Sequence, residues 1–568
     1  MQQTNELLEK VSSLSDEHEY YTPIPKGYVA GKTKYVFVFG TVMSGLGKGI
    51  FSASLAKIMQ DKGLKVEPLK MEGYLNLDSG TLNPFRHGEV FVLKDGMETD
   101  MDLGTYERML GKNLTKDNFM TSGQILTTVL QKERKGDYLG RDVQIIPHVT
   151  GEIKYRLRSL ALKSNADVVF VEVGGTVGDF ENASYIEALR ELAYEEGKTN
   201  VCFVALTYVL SPKMLGEQKS KAAQLGIRKL IEYGIQPDFL MCRCANPVTE
   251  KIREKLSIYT NVPLKHVVSM HDVQNIYLIP QLLEDAGVAR AVLERLGIVD
   301  KVNLLLGQQK TFAWKQLTDT IISPQREIVI GITGKYTSIR DSYASVIKAV
   351  EDAGLHYGAN VKIKWIETTA IDEGLSVEHA LSGVHGVIVP GGFGKRGVEG
   401  KIKCVRYLRE NNIPYLGLCY GFQMAVVEFA RNVCGLMSAH TTEVVPECGE
   451  PVIDILPEQK AIEGLGGNMR LGEKDVLVKE GTKAFQLYGC TMIRERFRHR
   501  FECNPKYLPL LESKGLVFSG KHPQYDIMQI LELPGHKFFV GSQFHPEFTS
   551  KPLTPNPLYM GFIKACLE

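Results

Sequence analysis

Apolar residues recur along this chain in short, mostly apolar runs, separated by stretches of helical period. The first series of runs is Tyr35–Phe39, Val66–Lys70, Glu89–Leu93, Asp167–Val173, Cys202–Leu206, Phe239–Cys242 and Val267–Ser269, with helical segments at Ile50–Lys62, Ala222–Tyr233 and Gly287–Gly297. A second series opens at Glu327–Ile332 and continues through the helix Ser342–Ala353, then Val361–Ile366, Gly386–Ile388, Pro414–Leu418 and Lys537–Val540. A run such as Asp167–Val173, apolar without a break from Val168 to Val171, marks a strand covered on both faces, as in a parallel sheet. Strand and helix in alternation predict an α/β chain, and 568 residues are too many for one core. The expected organisation is an extension over 1–33, a P-loop-like parallel-sheet domain over 34–299, a linker over 300–325 and a second doubly wound domain over 326–568. The extension is polar and acidic and reads as a loose arm or a small helix on the first domain.

Charge and cysteine usage exclude several classes. Lys+Arg is 67 against Asp+Glu 66, so no global charge argues for nucleic acid or a membrane surface. The 10 cysteines show no C-x-x-C or paired zinc spacing, which fits reduced thiols in the cytoplasm. No apolar run is long enough for a bilayer, and Met1–Glu6 lacks the basic and apolar parts of a signal peptide.

The chemistry concentrates in three stretches of the second series. In Pro414-Tyr415-Leu416-Gly417-Leu418-Cys419-Tyr420-Gly421-Phe422-Gln423 an apolar run ends in a cysteine between glycines, and an amphipathic segment follows. Strand, sharp turn and helix would lift Cys419 above the sheet edge, as in a nucleophile elbow with a thiol for the hydroxyl. The helix N-terminus would stabilise its thiolate. Alone, such a cysteine is more often structural, because reactivity requires a base. Gly541–Phe548 supplies one: His545 and Glu547, two apart at a strand end, give an imidazole oriented by a carboxylate. Val389-Pro390-Gly391-Gly392-Phe393-Gly394 supplies a turn whose N–H groups can converge on an oxyanion around Gly392. Taken together, the three resemble the class I glutamine amidotransferase family. The resemblance implies Cys419 as nucleophile toward the glutamine side-chain amide, His545 as base and Glu547 as its orienter. It also implies a pocket of Gly392, Tyr420, Gly421, Phe422, Gln423, Glu443 and Arg500 for the oxyanion and glutamine, with Glu443 and Arg500 suited to ammonium and carboxylate.

The first series carries a second set of motifs. After the strand Tyr35–Phe39 comes Gly40-Thr41-Val42-Met43-Ser44-Gly45-Leu46-Gly47-Lys48-Gly49, a glycine-rich turn opening a helix and able to cradle phosphate. It departs from a regular Walker A loop: Val42 stands for the first glycine and Gly49 for the magnesium-binding Ser/Thr. Magnesium would then rest on carboxylates at strand ends. Lys70 is placed to meet a phosphate. Glu98-Thr99-Asp100-Met101-Asp102 supplies candidate carboxylates, and Glu172 ends a strand where α/β sheets bind ligands. A carboxylate there is costly unless it meets a cation. Lys219 and Lys221 at a helix start make either an anion site or a solvated basic face.

Leu46–Gly49, His87–Val92, Glu98–Gly104 with Tyr106-Glu107-Arg108, and Glu172–Asp179 are similar to the amidoligase half of the CTP synthase family. Pro390–Gly400, Arg498-His499-Arg500 and Gln543–Ser550 fit its glutaminase half, so the resemblance spans about 34–568. It implies an N-terminal amidoligase domain fused to a class I glutaminase domain. The implied activity is a C–N ligase that makes CTP from UTP, ATP and glutamine through a 4-phosphorylated UTP. It implies ATP at Gly45, Leu46, Gly47, Lys48, Gly49, Ile50, Lys70, Asp102, His271, Asp272 and Val273. It implies UTP or CTP at Ser44, Asp179, Phe180, Glu181, Lys219, Ser220, Lys221, Ala222, Ala223, Gln224 and Lys255, and Mg2+ on Asp102 and Glu172. GTP as activator near Phe393, Arg396 and Arg470, CTP as inhibitor, and a homotetramer with possible filaments follow from the same resemblance. Departures from the family pattern are Thr41, Gly45, Glu72-Gly73, Ala222-Ala223, His271 and Tyr420. They leave the chemistry intact and are expected to alter UTP or CTP affinity. The alternatives are an amidoligase of this architecture with another acceptor, or a structural or filament subunit with weakened catalysis.

Overall fold

The computed structural model describes residues 21–138, 140–212, 216–334, 340–455 and 469–568. It divides into two compact units: Met1–Leu77 with Lys116–Phe312, and Asp78–Thr115 with Ala313–Glu568.

The first unit is built on a sheet of seven strands: β1 (Lys34–Gly40), β2 (Val66–Glu72), β5 (Phe119–Thr121), β6 (Val168–Val173), β7 (Val201–Tyr208), β8 (Phe239–Cys244) and β9 (Val267–His271). Their order across the sheet is β5-β2-β6-β1-β7-β8-β9. Every neighbouring pair is parallel. β6 is buried at all six positions, the pattern expected of a strand with helices on both faces. Tyr35, Phe37 and Phe39 face a core shared with Ile153 and Leu157 of the helix Thr150–Ser164 and with Ile186 and Leu189 of Ala183–Glu196. The intervening Val36 and Val38 are equally buried. The helix Lys48–Asp61 returns the chain from β1 to β2 and buries eleven of its residues, which explains its weak amphipathic pattern. Of the extension, Met1–Tyr20 lies outside the described residues, and Tyr21 packs its ring against Tyr138 and His148 at 5.2 and 5.4 Å.

The second unit holds a nine-stranded sheet. β10 (Arg326–Gly334), β11 (Ala359–Glu367), β12 (Gly386–Val389), β13 (Tyr415–Leu418) and β21 (Phe539–Ser542) run parallel. β20 (Met528–Glu532), β19 (Val517–Lys521), β16 (Arg470–Val478) and β17 (Met492–His499) extend the sheet antiparallel. The order is β11-β10-β12-β13-β21-β20-β19-β16-β17. A small separate sheet joins β14 (Ala439–Thr441), β15 (Glu450–Ile455) and β18 (Phe501–Cys503). The antiparallel half of the large sheet is absent from the sequence reading, because charged residues interrupt its strands, as in Arg494-Glu495-Arg496-Phe497-Arg498. Alternate residues of β12 and β13 feed two cores: Val387, Val389 and Tyr415 one, Ile388, Leu416 and Leu418 the other.

Residues 78–115, read from sequence as part of the first domain, belong to this second unit. They form a hairpin of β3 (Phe91–Val92) and β4 (Glu98–Thr99) followed by the helix Met101–Leu110. Phe91 meets Phe548 edge-on at 5.0 Å, and Gly96 lies against Leu471 and Gly472 of β16, where a Cβ at either glycine would crowd the other chain segment. The stretch 300–325, read as a linker, carries the helix Leu304–Ile322, and the division between the units falls inside it.

Candidate active sites

β13 ends at Leu418, and the helix Tyr420–Asn432 begins two residues later. Between them Cys419 is held at φ 50°, a left-handed conformation that non-glycine residues adopt only under constraint. Two features enforce the bend. Cys419 N–H donates to Ser542 O on β21 (2.7 Å). Gly421 lies so close to the Val389 carbonyl that no Cβ fits. Tyr415 Oη closes the turn by donating to Gly421 O (2.8 Å). The elbow read from sequence is therefore present, with Cys419 6% exposed at the start of a helix whose first N–H groups have no intrahelical partner.

His545 follows β21, and Glu547 lies in a one-turn helix, Pro546–Phe548. The strand-face geometry expected from their spacing is replaced by this turn, because Pro546 cannot donate to a sheet ladder. The result is the same pairing: His545 Nδ1 and Glu547 Oε1 are 2.7 Å apart. Burial pulls the imidazole pKa down, but Glu547 and then Cys419 oppose this more strongly, and it is raised to about 10. A Cβ on Gly391 would sit 2.8 Å from His545 Cε1 and 3.8 Å from Cys419 Cβ, so Cys419, His545 and the glycine loop come together at one place. The loop is fastened twice: Gly394 N–H donates to Glu443 Oε1 (2.8 Å), and Tyr420 Oη donates to Gly394 O (3.1 Å). Gln423 Nε2 donates to Phe501 O (3.0 Å), while its buried Oε1 has no hydrogen-bond partner among the described residues. Such an acceptor suits a substrate amide. Arg500 lies in the bend between β17 and β18. Arg470, expected beside GTP, donates to Glu502 (3.3 Å) and covers the Phe497 ring, whereas Phe393 is 54% exposed.

Residues that the sequence reading left without a role also reach this pocket. Gln543 Nε2 is 3.6 Å from Cys419 Sγ, and Cys419 Sγ donates to the Arg498 carbonyl (3.7 Å). Gln543 carried a signal, being two residues before His545. Arg498 was marked only as part of the Arg498-His499-Arg500 motif, which gave no hint of this contact, because it is made through the backbone carbonyl.

In the first unit the glycine-rich loop follows β1 with Val42, Gly45 and Gly47 all at positive φ (75°, 74° and 82°). Val42 keeps the backbone of the glycine it replaces: Met43 N–H donates to Thr41 O (2.9 Å) across it, closing a strained γ-turn. Lys48, buried at the helix start, donates to Gly175 O (2.9 Å). Lys70 is salt-bridged to Glu172 (2.8 Å) and Glu72 (3.2 Å) at the ends of the adjacent strands β2 and β6. The cation that Glu172 needs is thus, at least in part, this lysine. Asp179 Oδ2 accepts from Thr176 N–H (2.8 Å), folding the loop after β6, and Phe180 is 91% exposed beside exposed Glu181. At the start of the helix Lys221–Glu232, Lys219 and Lys221 are exposed and Lys219 pairs with Glu217. Gln224 Nε2 donates to Ser220 Oγ (3.0 Å). Ala223 is fully buried in the core with Ile227 and Leu230, so a threonine there would put its hydroxyl among apolar groups. Ala222 is half-buried beside it, and Lys255 is exposed on the helix Glu250–Thr260. His271 and Val273 line a cavity of about 540 Å³ with Arg253, Lys265 and Ser269. Asp272 pairs with Arg243 (2.6 Å).

In the second unit Asp100 caps the helix Met101–Leu110 by accepting from Asp102 N–H (3.0 Å), and Glu98 pairs with Arg498. Of that acidic cluster, Asp102 stands in the first helical turn. Among the described residues no group of three or more His, Cys, Asp or Glu could hold a metal ion. A magnesium held by one or two carboxylates and nucleotide phosphates would need no such group.

Residues 34–298 match the family model described as CTP synthase N-terminus, and 338–565 match glutamine amidotransferase class-I. The chain is 48% identical over 538 residues to a CTP synthase of Thermococcus gammatolerans, covering 94% of this chain and 99% of that one. It is 47% identical over 537 residues to a CTP synthase of Pyrococcus abyssi, covering 94% and 98%. Among solved structures it is similar to the glutaminase domain of Trypanosoma brucei CTPS with bound acivicin: 34% identity, 42% of this chain, 94% of that chain, TM-score 0.40. With a relative this similar along nearly its whole length and both halves matched in order, the chain belongs to the CTP synthase family.

Proposed function

We infer that the chain is a glutamine-hydrolysing ligase that aminates UTP to CTP at the expense of ATP. The observation that supports it most directly is Cys419, held in a strained elbow opposite an imidazole that is itself bound to Glu547. In that arrangement the thiolate attacks the glutamine Cδ carbonyl, and the Gly391–Gly392 loop with the helix N-terminus stabilises the oxyanion. His545 gives its proton to the departing nitrogen, the C–N bond breaks and a thioester remains. Water then hydrolyses the thioester to glutamate. Gln423, Glu443 and Arg500 hold the amino acid.

In the synthetase half, ATP phosphorylates the uracil O4 and neutral ammonia displaces the phosphate. Phosphoryl transfer needs chiefly positioning and charge neutralisation. Lys48 and the loop Gly45–Ile50 fit the phosphates, with Lys70 beside them. Two carboxylates on one lysine leave Glu172 and Glu72 with an excess negative charge, a donor set of the hard oxygen type that magnesium takes. Asp102 is given the same role from its motif, not from its placement. When bound, the magnesium would neutralise charge on the phosphoryl oxygens. His271, Asp272 and Val273 are proposed for the ATP base, and Ser44, Asp179–Glu181, Lys219–Gln224 and Lys255 for the pyrimidine nucleotide. GTP as activator near Phe393 and Arg396, CTP as inhibitor, a homotetramer able to form filaments, and a cytoplasmic location complete the proposal by family. Among the described residues no helix is long and apolar enough to cross a membrane.

The test is product formation from UTP and ATP with glutamine and with free ammonia in parallel. Both should yield CTP, and Cys419→Ala should abolish only the glutamine arm. No CTP from either source, with glutamine still hydrolysed, would point to another acceptor.

A further inference from the structure

The backbone of His545 and the sulfur of Cys419 rest on carbonyls of one strand, two residues apart. His545 N–H donates to Arg496 O (2.8 Å), and Cys419 Sγ donates to Arg498 O (3.7 Å). Residues two apart share a strand face, and both arginine side chains are gripped by residues 78–115. Arg496, fully buried, donates to Val92 O (3.0 Å), pairs with Glu107 (2.9 Å) and lies over the Phe91 ring (5.6 Å). Arg498 Nε donates to Glu98 Oε1 (2.7 Å). Glu98 is 1% exposed, its carboxylate is pressed against Gly80, and Oε2 has no hydrogen-bond partner among the described residues. Its backbone is fixed by the β3–β4 pairing and by Ser79 N–H donating to Glu98 O (2.9 Å).

Stability does not explain this pair well. Glu98 is buried while Arg498 keeps 22% of its side chain exposed; such a pair seldom outdoes an apolar pair of equal volume, and an unpartnered carboxylate oxygen adds cost. We propose that Glu98 and Arg498 are a positioning pair for Cys419: Glu98 clamps the Arg498 side chain, and the fixed Arg498 carbonyl sets where the sulfur sits relative to His545. The glutaminase pocket is then completed by a segment from the synthetase half of the sequence. This rests on the function proposed above.

The test uses the full chain carrying Glu98→Gln, which preserves volume and removes charge. The readouts are glutamate release, CTP from glutamine and CTP from ammonia. Because a small displacement of a nucleophile is costly in rate, kcat for glutamate release should fall about tenfold. Glutamine KM and ammonia-dependent synthesis should each stay within about twofold, since neither depends on the thiol position. The rate at which a glutamine-like chloroketone alkylates Cys419 should fall with kcat. Unchanged glutamate release, or an equal loss with both nitrogen sources, overturns the proposal. If Glu98→Gln does not fold, Arg498→Lys must give the same pattern. Failure of the unaltered chain to make CTP from ammonia would instead refute the functional reading, while glutamate release still tests the pair.

Discussion

The hydroxyl of Tyr420 donates to the carbonyl of Gly394 at 3.1 Å, joining the residue after Cys419 to the glycine loop. Tyr420 is one of the departures read from the resemblance, and its ring has a definite place beside the glycine loop. It is buried, lies near Lys401 Nζ (5.0 Å) and ties down the loop. Tyr420→Phe removes one hydrogen bond, about 1 kcal/mol, while Glu443 still holds Gly394 N–H. Glutamine-dependent turnover should drop several-fold, ammonia-dependent turnover should not change, and steady-state kinetics with each nitrogen source will show it.

Val42 sits at φ 75°, where a β-branched side chain is strained by about 1–3 kcal/mol. Val42→Gly removes the clash but loosens the unfolded chain by about 0.4–1 kcal/mol. The balance favours the variant, so its thermal midpoint should rise by a degree or more. A lower midpoint would show that Val42 contacts outweigh the turn.

Arg496 and Glu107 are a buried pair, and removing one partner strands the other. Arg496→Met alone should cost about 3–5 kcal/mol, and adding Glu107→Met should recover most of it. Denaturant unfolding of the two single variants and the double variant closes the cycle.

Burial raises the Glu89 carboxyl to about 7, against the hydrogen bonds it accepts from Ser345. A pKa raised on folding from 4.5 gives stability that is complete below pH 4.5 and lost as pH rises through about 7. The unaltered chain should therefore lose thermal midpoint between pH 5 and 8 relative to Glu89→Gln, in which that dependence is removed. Parallel slopes in the two proteins would show that Glu89 does not titrate in this range.

What the sequence settled by itself was whatever local chemistry encodes. Apolar runs such as Val168–Val171 announced parallel strands, because a strand covered on both faces has no polar side. The glycines around Cys419 announced a sharp turn, because glycine lets the backbone bend tightly. The elbow, the His545–Glu547 pair and the glycine-rich turn after β1 were legible for the same reason. The sequence did not show that residues 78–115 complete the glutaminase unit, or that Arg496 and Arg498 pair with Glu107 and Glu98. Those partners are some 400 positions apart, and a charged residue on an alternating strand reads as solvated until folding buries it. Tertiary structure alone decided that these charges would be desolvated together.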